Sequence, residues 1–191
     1  MTYIVLENFS DTIHQELTTI WNDQTWDRVV EAKPGHFLHY CLSPKHEMVK
    51  KFPYADTVQF YWNKPGSETG PHLDRGRWAA INIPIDVDHD NSAFVIGKEF
   101  HLKNYRRKTY LDKPGANPYT HKVPSESGPT GFYYEDQHMF DHYNLEKPVL
   151  FCTKVPHGYT NINSTQHRVL CSVTFKKTWN EIIHLIPQDW Y

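Results

Sequence analysis

The run WAAINIPI, residues 78–85, is apolar at nearly every position. Alternate residues of a strand point to opposite faces, so such a run reads as a β-strand buried on both sides. It follows directly on GPHLDRGR, where His72, Asp74, Arg75 and Arg77 crowd against the start of that strand. Either this is a decorated turn with a solvated histidine, or His72 and Asp74 hold something.

Similar runs recur along the chain. DTVQFYWNKPGSETGPH reads as a strand from about Thr57 to Asn63, stopped by Pro-Gly and a polar turn. SAFVIG is a short strand after an acidic turn, and KPVLFCTKVPHGYTN and HRVLCSVTFKKTW are two strong strands joined by a turn. TYIVLENFS is a short strand ending at Ser10, which can cap the helix DTIHQELTTIWND, where Ile13, Leu17 and Ile20 keep helical spacing. SPKHEMVKKF is a second short helix. Short strands between turn signals, with helices mainly at the start, predict a β-sandwich or barrel with helical decoration. Residues 101–146 are basic, aromatic and rich in Pro, Gly and Ser, and are expected to form a lid or elaborated loop.

At 191 residues the chain is most simply one domain, 1–191. A net charge of -2 gives no electrostatic reason to expect nucleic acid or a membrane surface as partner. No apolar stretch approaches the ~20 residues that span a bilayer, and the N-terminus lacks the plan of a signal peptide. Cys41, Cys152 and Cys171 are odd in number and lack metal-type spacing; Cys152 and Cys171 sit in apolar runs as reduced core residues. A cytoplasmic protein is the expectation.

Two residues apart on a strand, His72 and Asp74 can aim at one point. An imidazole nitrogen and a carboxylate oxygen make two-thirds of a facial metal triad, and a second histidine would complete the ligand set of non-haem Fe(II) oxygenases. With thirteen histidines in the chain, the motif needs context. His157 ends the buried run VLFCTKVP, and Arg168 follows eleven residues later inside HRVLCSVTF. An arginine in so apolar a run needs an anionic partner, which can be a protein acid or a bound carboxylate held bidentately.

The order strand, His-x-Asp, strand, then distal His and Arg resembles the 2-oxoglutarate/Fe(II)-dependent dioxygenases. PHLDRGRWAAINIPI and VPHGYTNINSTQHRVLCSV carry the likeness, which spans about residues 57–176. The resemblance implies a double-stranded β-helix (jelly roll) core with the N-terminal helices packed outside. It implies that His72, Asp74 and His157 bind Fe(II) and that Arg168 binds the distal carboxylate of 2-oxoglutarate, with ascorbate a candidate reductant. O2 and a small-molecule or peptide substrate follow as partners, and hydroxylation with release of succinate and CO2 as the reaction. The compact size and the LDRGRWAAINIP segment look closest to prolyl-hydroxylase-like and small microbial or phage members, which points to an amino-acid or peptidyl substrate. Many members carry Arg-x-Ser, but here that position is Leu170, and Ser172 lies two residues further. Another side chain must complete the carboxylate clamp, and Tyr61 and Asn82 are the candidates; each could instead make a structural hydrogen bond. Arg77 is expected at the substrate or co-substrate, a surface acid being the alternative. A cupin-like jelly roll that binds a metal or small acid without oxygenase activity is the rival reading, and a metal-free binding module is a third.

Other histidines compete less well. His138 and His142, with Glu135 nearby, would share a helix face and could take zinc, but no third ligand is specified. His167 adjoins Arg168 and should point to the opposite sheet face. DVDHDNS mimics the start of a calcium loop, but Asn91 replaces the turn glycine and Gly97 the closing glutamate, so an exposed acidic turn is expected. Lys103, Arg106, Arg107 and Lys108 hint at an anionic substrate, although a solvated basic loop accounts for them as well.

Overall fold

The computed structural model describes residues 1–33, 37–74, 76–101, 107–108, 131–132 and 137–191. In chain order its elements are β1 (Tyr3–Val5), α1 (Asp11–Asn22), β2 (Arg28–Lys33), β3 (Phe37–Cys41), α2 (Glu47–Lys50), β4 (Ala55–Asn63), β5 (Ser67–His72), β6 (Ala79–Asp86) and β7 (Ala93–Gly97). Then come β8 (Arg107–Lys108), β9 (Gly131–Phe132), β10 (Phe140–Tyr143), β11 (Val149–Cys152), β12 (His157–Asn161), β13 (Arg168–Phe175) and α3 (Trp179–Leu185). A seven-stranded sheet has the order β1-β11-β6-β13-β4-β3-β2, a four-stranded sheet the order β10-β7-β12-β5, and β8 pairs with β9. From β4 to β7 and again from β10 to β13 the chain passes from one sheet to the other at each connection, and every pairing is antiparallel. Two sheets wound together in this way match the jelly-roll expectation.

Alternation along β13 divides the labour of the large sheet. Val169, Cys171, Val173 and Phe175 join Phe60, Ile81 and Ile83 in a core that also takes in Leu17 of α1, Met48 of α2 and Ile182 of α3. The helices thus cover one face of the sheet. Arg168, Leu170 and Ser172 point the other way, between the sheets, where Phe94, Ile96, Val149 and Phe151 form a second cluster with Leu170. The register sets Asn63 opposite Arg168, Tyr61 opposite Leu170, and Asn82 opposite Ser172.

The Ser10 hydroxyl accepts from Ile13 N and starts α1 as expected, whereas α2 is only four residues long. Several elements were not anticipated. The polar stretch Ser67–His72 is strand β5, held by its backbone pairing to β12 rather than by apolar alternation. Arg28–Lys33 and Phe37–Cys41 pair as antiparallel neighbours at one edge of the large sheet. Thr178 and Glu181 form a reciprocal capping box that starts α3. The segment 149–161 is also two strands, so that His157 opens β12 instead of closing β11; Pro156, which lacks an N–H, immediately precedes β12. Of the expected lid, residues 102–106, 109–130 and 133–136 lie outside the described residues, and Lys103, Arg106 and Glu135 with them. Among the described residues no helix is long and apolar enough to cross a membrane.

Candidate active site

His72 ends β5 and His157 opens β12, and the two are cross-strand partners. Their rings lie 4.8 Å apart between centroids. Asp74, in the turn after β5, brings Oδ2 to 3.2 Å from His157 Nε2 and Oδ1 to 3.7 Å from His72 Nε2. One ligand atom from each of the three falls within 4.8 Å of the others, the only such group among the described residues. Each imidazole is oriented from behind: His72 Nδ1 lies 3.0 Å from Gly70 O, and His157 Nδ1 lies 2.9 Å from Val155 O. With Nδ1 engaged by those carbonyls, both Nε2 atoms are turned toward Asp74, the arrangement usual for metal-ligating histidines.

Close approach of the backbones makes the pairing possible. A Cβ added to Gly158 would collide with Thr69 O and stand 3.1 Å from Gly70 C and O, so only glycine lets β12 lie against β5 beside His157. The turn carrying Asp74 is tied to the turn before His157 several times over. Asp74 N donates to Thr153 O, Thr153 N to Trp78 O, Thr153 Oγ1 to Arg77 O at 2.7 Å, and Lys154 Nζ to Asp74 O at 2.9 Å.

Electrostatics prepare the donors. Burial, and next to it the charge of His157, holds the His72 imidazole down at about 4, so it is neutral at neutral pH. Burial alone would raise the Asp74 carboxyl. The charge and hydrogen bond of His157, with the Arg77 guanidinium, outweigh that and hold it far below the usual carboxylate range. A buried carboxylate beside imidazole nitrogens is a donor set that suits Fe(II) and other nitrogen- and oxygen-seeking divalent metals.

Across a cavity of about 270 Å³ from the triad lies Arg168. It is 1 % exposed, and burial pulls its guanidinium down to about 10. Nη1 donates to Asn63 Oδ1 at 3.2 Å, and the guanidinium carbon lies 4.6 Å over the centre of the Tyr159 ring. Asn63 Nδ2 in turn donates to the Tyr159 hydroxyl at 2.9 Å. Nε is buried with no hydrogen-bond partner, and no acid among the described residues pairs with this charge. Arg168 therefore lines the cavity as a buried cation whose planar fork could take a carboxylate. The expected alternative, an ion pair with a protein acid, is not found among the described residues.

The remaining sequence-derived residues divide between the two ends. Tyr61 lines the cavity, and its hydroxyl accepts from Gln59 Nε2 at 2.5 Å and from Arg77 Nη1 at 3.3 Å. Arg77 lines the cavity but is bonded first to the triad, its Nε donating to Asp74 Oδ2 at 2.6 Å. Asn82 lines the cavity beside Ser172. His167 is exposed, 2.8 Å from Asp86 Oδ2, away from the cavity as expected. His138 lies in a short 3-10 helix and His142 in β10, so the two share no α-helical face. Asp88 and Asn91 bond one another in an exposed acidic turn. Asn63 and Tyr159 were missed. Tyr159, two residues after His157, was legible in part from strand alternation, whereas Asn63 faces Arg168 only through a cross-strand register that sequence spacing does not reveal.

No protein-family model matches the sequence, and a search of curated proteins gives no match. Solved structures do match. The epimerase SnoN from nogalamycin biosynthesis, determined in complex with Fe3+, alpha ketoglutarate and nogalamycin RO, superposes with a TM-score of 0.57 at 10% identity, over 91% of this chain and 78% of that one. The non-heme alpha ketoglutarate dependent carbocyclase SnoK gives 0.54 at 9% identity, over 97% and 87%. A Pseudomonas putida prolyl-4-hydroxylase gives 0.50 at 11% identity, over 91% of each chain. The chain thus has the jelly-roll fold of the 2-oxoglutarate-dependent non-haem iron enzymes, with a His-Asp-His group consistent with Fe(II).

Proposed function

We propose that this chain is an Fe(II)- and 2-oxoglutarate-dependent oxygenase that hydroxylates an amino-acid, peptidyl or other small-molecule substrate, with release of succinate and CO2. One observation carries the reading: Arg168, a buried cation with no acidic partner among the described residues, lines the same cavity as His72, Asp74 and His157. A metal-binding group alone fits a cupin-like protein equally well. A buried cation awaiting a carboxylate in that cavity calls for an anionic co-ligand as well.

His72, Asp74 and His157 would hold the iron, and Arg168 the distal carboxylate of 2-oxoglutarate. Iron with 2-oxoglutarate supplies the oxidising chemistry, in which O2 is consumed and 2-oxoglutarate becomes succinate and CO2. The chain's own residues bind and orient. Asn63 and Tyr159 hold the guanidinium in one plane, so an arriving carboxylate meets a preset fork. Asn82 can add a hydrogen bond from the same wall. Phe94 and Phe151 pack around His157, at ring distances of 6.4 and 5.0 Å, and limit water on that side. The neighbours in fold include an epimerase and a carbocyclase, so hydroxylation is the outcome to test first among several that the same oxidation can reach.

The test is succinate formation by the Fe(II)-loaded protein with 2-oxoglutarate and O2, screened across amino acids, short peptides and small acids. Slow turnover without substrate, accelerated by one class, is the expected result. Metal uptake with no 2-oxoglutarate consumption under any condition would favour the cupin-like reading. Zinc or nickel at the triad would not count against it, since either can take a nitrogen and oxygen site meant for Fe(II).

A further inference from the structure

Arg77 occupies an unusual place for a cation, beside residues that would hold a divalent metal. Its Nε is 2.6 Å from Asp74 Oδ2, its Nη1 is 3.3 Å from the Tyr61 hydroxyl, and Gln59 supports that hydroxyl from the other side at 2.5 Å. Arg77 and Asp74 are three residues apart in one turn, and both are largely buried, with side chains 24% and 11% exposed. The backbone of the same turn is pinned, because Arg77 O accepts from Thr153 Oγ1 and Asp74 O from Lys154 Nζ. The guanidinium is therefore held by the fold and does not drift as a mobile surface charge would.

A carboxylate can give a metal one oxygen or two. We propose that Arg77 is a positioning residue that keeps Oδ2 of Asp74 engaged, so that Asp74 serves the metal through a single oxygen. The proposal rests on the metal reading above. Its chemical consequence is economy of coordination positions. Three protein donors leave three places at an octahedral metal, two for a chelating 2-oxo acid and one for O2. A second oxygen from Asp74 would take the last of these. Outer partners that orient a ligating carboxylate are worth about 10–100-fold in metal affinity. The opposing account is that Arg77 merely neutralises Asp74 and competes with the metal for it, and that account predicts the opposite sign.

Co(II) titration of the full chain, followed by visible absorption, separates the two. Arg77→Met should bind Co(II) about 10–100-fold more weakly and shift the Co(II) bands as the carboxylate changes its mode, with the far-ultraviolet circular dichroism retained. Arg77→Lys should recover only part of the loss, because an ammonium cannot span both Asp74 and Tyr61 as the planar fork does. Tyr61→Phe, which leaves Arg77 in place without its second contact, should weaken Co(II) about 2–5-fold, a fraction of that range. If Arg77→Met does not fold, the Tyr61→Phe titration decides on its own, a change within twofold overturning the proposal. Unchanged or tighter Co(II) binding by Arg77→Met, with unshifted bands, also overturns it while leaving the oxygenase reading intact. A wild-type chain that takes up no Co(II) and forms no succinate overturns the reading itself.

Discussion

The two ends of the cavity handle charge in opposite ways. At the triad end Asp74 is answered by His157 and Arg77, and Arg77 in turn by Tyr61. At the far end, among the described residues, Arg168 has one hydrogen bond, an aromatic face beneath it, and a buried Nε without a hydrogen-bond partner. Buried polar groups are nearly always paired, so an atom this deep without a partner among the described residues is an exception that the proposed function has to account for. The comparison teaches that the triad end is prebuilt by the fold, whereas the charge of Arg168 is left without an acidic partner among the described residues, which is why the proposed reading puts a carboxylate ligand there.

The strongest way to break this contrast is Arg168→Met. It should weaken 2-oxoglutarate binding to the Mn(II)-loaded protein by about 2–5 kcal/mol, the range for truncating one partner of a buried charge pair. Calorimetric titration reads this directly. The same change should leave the melting temperature of the ligand-free chain unchanged or higher, because the charge removed has no acidic partner there. A fall of several degrees would mean that Arg168 holds the fold. Asn63→Leu probes the same end more gently, removing the acceptor of Nη1. It should cost about 1.5–3 kcal/mol of 2-oxoglutarate affinity, the range for a hydrogen bond to a charged group, with little change in metal uptake. Retained affinity would show that the Tyr159 face alone orients the guanidinium.

Gly158→Ala moves the test to the triad end. The added methyl must push β12 off β5 where His157 meets His72, at a cost of about 1–3 kcal/mol in urea unfolding and a loss of metal affinity. Stability lost with metal binding intact would separate the strand contact from the ligand geometry. Thr178→Ala is the smallest and serves as the control. Losing the α3 cap should cost about 1 kcal/mol of stability and leave metal and 2-oxoglutarate affinity untouched, since α3 packs on the other face of the large sheet.

What was legible in the sequence follows the same division. His72, Asp74, His157 and Arg168 stood out because ionisable groups beside apolar runs need a reason, and alternation showed which could share a face. Strand β5 was read as a turn because SETGPH lacks the apolar alternation that marks a half-buried strand; its pairing partner lies some ninety residues away. For Tyr61 the sequence could place the residue on a strand but not its register, which sets it opposite Leu170, in the cavity lining, with its hydroxyl on Arg77. The α3 capping box, Thr178 and Glu181, was a local signal present in the sequence and passed over. Long-range pairing, by contrast, leaves no local trace.

The split between the two faces of the large sheet has a consequence for how little of the sequence the shape dictates. Folding is borne by the face where Phe60, Ile81, Val173 and Leu17 meet, and any set of apolar residues of similar volume would serve there. The candidate site takes only a few positions on the opposite face and at the ends of two strands. A fold built this way can accept very different residues and still keep its shape. The backbones of SnoN, SnoK and the prolyl-4-hydroxylase accordingly superpose on this chain at only 9–11% identity.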